Sequence, residues 1–128
     1  MGKKDGQYIL LKFFSSIIAV KIFHYRTKYY GAHKAADQYV EDYLKTADKF
    51  LEVYQGRYGR IIFSEDYINL DIRVLTDENI KTFLSGESSW IVNELNKILD
   101  RETDGDLYNI RDDLQSIIDQ FKYLLTFK

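Results

Sequence analysis

The sequence predicts an all-α chain folded as a four-helix bundle, with a long connection between its second and third helices. Three observations carry that prediction. The 128 residues include no proline and seven glycines, so long helices meet few breakers. Apolar residues recur at steps of three and four through most of the chain, the period of a helix with one buried face. Two short links flank one long irregular stretch, which gives two helical hairpins joined by a crossover.

The first helix is expected from about Gln7 to Tyr29, with Ile9, Phe13, Ile17 and Val20 facing inward. Gly31 is the natural stop after it. The second helix is expected from about Ala32 to Tyr58. Its apolar stripe is Ala36, Val40, Leu44, Ala47, Leu51 and Tyr54, and Gly56 and Gly59 mark its end. Between Arg60 and Leu75, Ile61-Ile62-Phe63 and the alternating Ile68, Leu70 and Ile72 have strand character. Two short runs do not make a stable sheet, so this stretch is expected to be a connection that packs apolar residues on the bundle. Thr76-Asp77-Glu78-Asn79 looks like a helix start, with acids in the first turn. A short extra helix then runs to Leu84 and pauses at Ser85-Gly86. The third main helix is expected from Glu87 to Arg101, carrying Trp90, Ile91, Leu95, Ile98 and Leu99. Asp104-Gly105-Asp106 forms a turn. The fourth helix, from Leu107 to about Thr126, carries Ile110, Leu114, Ile117, Ile118, Phe121, Leu124 and Leu125.

Composition narrows the function. Eighteen basic and twenty acidic residues leave a formal charge of −2, which argues against a DNA binder with a basic stripe. Cysteine is absent, so there is no disulfide framework and no thiolate metal site, as suits a reducing compartment. Met1 to Gly6 is too short and too mixed for a signal peptide, so the protein is not expected to be secreted. The longest apolar run, Phe13 to Val20, is broken by Ser15-Ser16 and bounded by Lys12 and Lys21. By that run no membrane span is expected. Eleven tyrosines and eight phenylalanines predict an aromatic core or extensive subunit contacts.

The chemistry sits on the second helix, in the pattern His33-x3-Asp37-x10-Asp48-x3-Glu52. Each pair is four residues apart and so shares a helix face. The step of eleven between the aspartates is close to three turns, which keeps all four on one side. Imidazole and carboxylate together are ligands for iron, manganese or zinc. His33 and Asp48, however, stand about 22 Å apart along a helix, too far to share one ion. One solution is an antiparallel pairing of two copies of this helix about a two-fold axis near Asp42-Tyr43. His33 and Asp37 of one subunit then face Asp48 and Glu52 of the other, and symmetry makes two identical sites. The alternative is that each pair meets ligands from other helices of its own bundle. His24, late in the first helix, is the additional candidate ligand on the His33–Asp37 side. Glu41 continues the row, and a solvated acidic flank on an ordinary bundle helix is the plain alternative for all the acids.

Three segments carry a resemblance: Phe23-His24-Tyr25-Arg26, Ala32-His33-Lys34-Ala35-Ala36-Asp37 and Ala47-Asp48-Lys49-Phe50-Leu51-Glu52. Together they resemble the Dps-like mini-ferritin branch of the ferritin-like superfamily. That branch has a histidine followed by an aromatic late in its first helix, then H-x3-D and D-x3-E on its second. The resemblance implies a ferritin-like four-helix bundle that oxidises Fe(II) at a centre shared between two subunits. It further implies a shell, typically of twelve subunits, that stores or detoxifies iron. It would make His24, His33, Asp37, Asp48 and Glu52 the metal ligands, the last four carrying the ferroxidase step. Tyr25 stands where that branch has tryptophan, and the lysine-rich tail of its DNA-condensing members is absent. Tyr54-Gln55-Gly56-Arg57-Tyr58-Gly59, Ile110-Arg111-Asp112-Asp113 and the Tyr123-Leu124-Leu125 ending are similar to short ferritin-like proteins of large DNA viruses and phages. The expected location is therefore the cytoplasm or the inside of a virus particle. A second expectation stands beside it, of a structural or interaction protein, for instance a virion component, that keeps the bundle without ferroxidase activity.

Overall fold

Four helices account for most of the computed structural model, which describes residues 4–127. Helix α1 spans Lys4–Arg26 and α2 spans Tyr30–Tyr58. After a crossover over residues 59–79, α3 runs without a break through Ile80–Ser89, a π-helical turn at Trp90–Glu94, and Leu95–Ile98. Helix α4 spans Gly105–Leu124. No strand occurs among the described residues. The first three residues of the Met1–Gly6 stretch weighed as a signal peptide fall outside them.

Contact register fixes the directions. Helix α2 is antiparallel to α1, since His33 meets His24 and Tyr43 meets Phe13. It is also antiparallel to α4, through Tyr39 on Phe121 and Arg57 on Asp106. Helix α3 is antiparallel to both α1 and α4, by Trp90 on Tyr8 with Glu87 on Lys12, and by Ser88 on Gln115 with Asn96 on Arg111. Helices α2 and α3 therefore run the same way, and only a long crossover can join them.

Aromatic side chains fill the centre. Phe13 is fully buried and meets Tyr43, Phe50 and Trp90 edge-on, with ring centroids 6.0, 5.3 and 5.9 Å away. Tyr39 stacks on Tyr43 and its hydroxyl reaches Ser16 Oγ at 3.0 Å. Burial pushes both tyrosines well above the ordinary phenol range, so they are neutral hydroxyls. Over Asp5–Arg26, α1 is long and apolar enough, by length and composition, to cross a membrane. The expectation against a span rested on Phe13 to Val20, but apolar residues continue on both sides of that run. In the bundle, α1 buries Ile9, Phe13, Val20 and Phe23.

Several boundaries differ from expectation, each for a tertiary reason. The α1–α2 break falls at Thr27–Tyr29, and Gly31 lies inside the first turn of α2. Asp77 from the crossover sets this break, accepting hydrogen bonds from the Thr27 hydroxyl and from the Lys28 amide at 3.2 Å. The expected pause at Ser85-Gly86 is absent. Helix α3 passes through Gly86 and widens at Trp90–Glu94 instead, with both Trp90 and Ile91 buried. A π turn inserts one residue into the helical register, which lets two adjacent large side chains face the core. Leu44, expected on the buried stripe of α2, is 40% exposed, because the tyrosines at 39 and 43 and Phe50 set that face.

The α3–α4 end is locked by Asp104, which is fully buried. It accepts hydrogen bonds from the Tyr58 hydroxyl and the Asp100 amide, and its carboxylate lies 3.3 Å from Arg57 Nε. Asp104→Ala is expected to cost about 2 kcal/mol, because it removes a buried carboxylate's hydrogen bonds to the Tyr58 hydroxyl and the Asp100 amide together with its ion pair to Arg57. Urea denaturation checks this, with the midpoint falling and the slope unchanged.

Candidate metal centre

The histidines meet where α1 ends and α2 begins. Their rings stack at 3.8 Å between centroids and 18° between planes. Each Nδ1 lies on the other residue's main-chain carbonyl, at 2.7 Å from His24 to His33 and 2.8 Å in return. A carbonyl only accepts, so each Nδ1 carries a proton, which leaves Nε2 as the nitrogen whose lone pair either ring would offer a metal. Neither Nε2 has a protein partner among the described residues. Metal-binding histidines are commonly held this way, with one nitrogen donating to a carbonyl and the other left for the ion. His24 is nearly buried and His33 is half-buried.

Asp37, one turn beyond His33, is exposed and pairs with Lys21 at 3.1 Å. The Lys21 hydrogen bond is the main cause that holds its carboxyl below the usual range, with smaller contributions from both imidazoles. Lys21 is raised in turn, chiefly by the same bond. The pair contributes above the ordinary carboxylate range and is lost as falling pH protonates Asp37. A metal at Asp37 would compete with Lys21 for that carboxylate.

Asp48 and Glu52 are exposed on the far half of α2, and neither has an ion-pair partner among the described residues. One chain therefore brings His24, His33 and Asp37 to one end of α2 and leaves Asp48 and Glu52 at the other. No group of three or more His, Asp or Glu suited to one metal ion occurs among the described residues. Glu41 is exposed between the two ends. At the proposed midpoint, Tyr43 turns into the core, and the residues facing outward are Glu41, Leu44 and Lys45. Asp112 and Asp113 face water on α4.

Sequence reasoning missed two buried polar centres. One is Asp104, read only as part of a turn. The other is Glu87, 8% exposed, which has Lys12 Nζ at 3.7 Å. Glu87 occupies an inward position in the series Ile80, Leu84, Glu87, Ile91, Leu95, a spacing visible in the sequence but masked by the acid itself.

A family model described as "Family of unknown function (DUF5856)" matches residues 24–125. The matched span includes all five candidate ligands. No curated protein and no solved structure matches the chain.

Proposed function

The chain belongs to the DUF5856 family of unknown function, and we propose that it is a mini-ferritin-like protein that binds Fe(II) between two subunits and oxidises it. The observation that carries this reading is the His24–His33 clasp. Two stacked imidazoles have their Nδ1 protons committed to carbonyls, and Asp37 lies one helical turn beyond His33. The crossover joining two parallel helices supports the ferritin-like assignment, since bundles of that type have one long connection.

The second subunit supplies Asp48 and Glu52. Antiparallel pairing of two α2 helices about the level of Asp42-Tyr43 sets His33 opposite Glu52 and Asp37 opposite Asp48. Two aspartates face to face repel, so this pairing needs a cation between them. Leu44, exposed on α2 between the two half-sites, would be covered by this pairing. The donor set fits iron, and equally admits zinc or manganese. In this reading Fe(II) is the substrate. Imidazoles and carboxylates hold it, hard oxygen ligands favour the ferric product, and dioxygen or peroxide takes the electrons. A closed shell that stores ferric mineral extends the same reading.

A second reading, a structural or interaction protein, draws on the crossover, where Ile62, Phe63, Tyr67 and Ile68 are exposed. The two separate in one experiment, in which the protein is mixed with Fe(II) in air and ferric absorbance is followed. Oxidation well above a buffer blank, with an iron-loaded assembly in solution, is expected. A rate equal to the blank would overturn the ferroxidase reading.

A further inference from the structure

A polar cavity of about 400 Å³ opens between α1, the crossover and α3. It shares no residue with the histidine and acid row of α2. Lys12 and Ser15 come from α1, Asp71 and Arg73 from the crossover, and Thr82 and Glu87 from α3. Lys12 is already engaged, with Glu87 at 3.7 Å and the Trp90 ring beneath it at 5.3 Å. Arg73, Ser15 and Thr82 have no hydrogen-bond or ion-pair partner among the described residues. Arg73, Ser15 and Thr82 therefore line the cavity with no protein group among the described residues bound to them, and Asp71 lines the same space.

We propose that this cavity binds a compact oxyanion, free or as the phosphate or sulfate head of a small metabolite, on Arg73, Lys12, Ser15 and Thr82. Arginine and hydroxyl groups are the usual partners of such oxygens. A volume of this size exceeds a bare ion and suits a small ligand. The charge balance of the lining makes binding depend on the state of Glu87. With Glu87 ionised, two cations face two acids and the cavity is neutral. With Glu87 protonated, it carries one net positive charge and gains an O–H donor. Burial already pushes the Glu87 carboxyl up, against the opposing pull of Lys12 and Ser16. An anion beside it pushes the same way, so binding takes up a proton, and by linkage a proton strengthens binding. The charged and titratable groups facing Glu87 are Lys12 of α1, Tyr39 and Tyr43 of α2, and Asp71 and Arg73 of the crossover. The tyrosines are too deeply buried to titrate in this range, and Asp71 opposes the anion.

Calorimetric titration with sodium sulfate tests the proposal, because sulfate itself does not change charge between mild acid and mild base. Wild-type binding is expected to weaken about tenfold or more from roughly pH 5 to roughly pH 8. Glu87→Gln keeps a donor without the charge, so its binding should be tight and indifferent to pH. Arg73→Gln should weaken binding about tenfold or more, and Asp71→Asn should tighten it. Both lie on the exposed crossover, and circular dichroism confirms that the fold is kept. Glycerol phosphate run in parallel identifies the source. Binding tighter than sulfate assigns a metabolite head, and equal binding assigns the free ion. Absence of sulfate and glycerol phosphate binding to both wild type and Glu87→Gln would overturn the proposal, as would unchanged affinity in Arg73→Gln.

Discussion

Asp48→Ala and Glu52→Ala, each alone, should reduce rapid Fe(II) oxidation to the rate of a buffer blank. Both residues are exposed on the solvent side of α2, and neither forms an ion pair among the described residues. Their replacement removes no core contact, and alanine is a strong helix former. Stability should therefore stay within about 0.5 kcal/mol of wild type, and far-ultraviolet circular dichroism should be unchanged. A loss of oxidation with no loss of fold is what separates a ligand from a structural acid. Asp37 is a less clean target, because removing it also frees Lys21. If either alanine variant oxidises iron at the wild-type rate, its residue is not part of the centre.

Phe13→Ala should give the largest loss of stability of any single change considered. Phe13 is fully buried, and three aromatic rings from α2 and α3 close on its edge and face. Truncation removes the transfer energy of the ring and leaves a cavity that three stiff neighbours cannot fill. The expected cost is about 3–5 kcal/mol, against a total of about 5–15 kcal/mol for an ordinary domain. Thermal unfolding should move down by about 10–20 °C. Phe13→Leu, which keeps much of the volume, should lose far less. A shift of only a degree or two in Phe13→Ala would mean that the aromatic cluster is not the centre of the core.

Helix number and order were legible because a period of three to four ran through Ile9 to Val20 and through Leu107 to Leu125. What local pattern missed was decided at a distance. Gly31 looked like a stop, but Asp77, far along the chain, sets the break by capping at Thr27 and Lys28. Gly86 looked like a pause, but the apolar side chains around it hold one helix together, and the mismatch is absorbed at Trp90–Glu94. Leu44 fitted an apolar stripe that aromatic neighbours displaced. At the candidate centre, the four-residue spacings placed the members of each pair on one face of α2. The stacking of His24 on His33 was not legible, because it depends on how tightly α1 turns into α2. Glu87 was hidden in an amphipathic pattern that tolerates one inward acid when a lysine from another helix reaches it.

The claim at the centre of this account is that each site takes half its ligands from each of two chains. Co-purification of an Asp37→Ala chain with a Glu52→Ala chain, selected by two different tags, tests it most directly. In either homodimer both sites are defective. In the mixed dimer one site collects both lesions, and the other pairs an intact His33–Asp37 half with an intact Asp48–Glu52 half. The account predicts that both parents are inactive and that the mixed dimer recovers about half the wild-type rate of Fe(II) oxidation. A mixed dimer as inactive as its parents would contradict it.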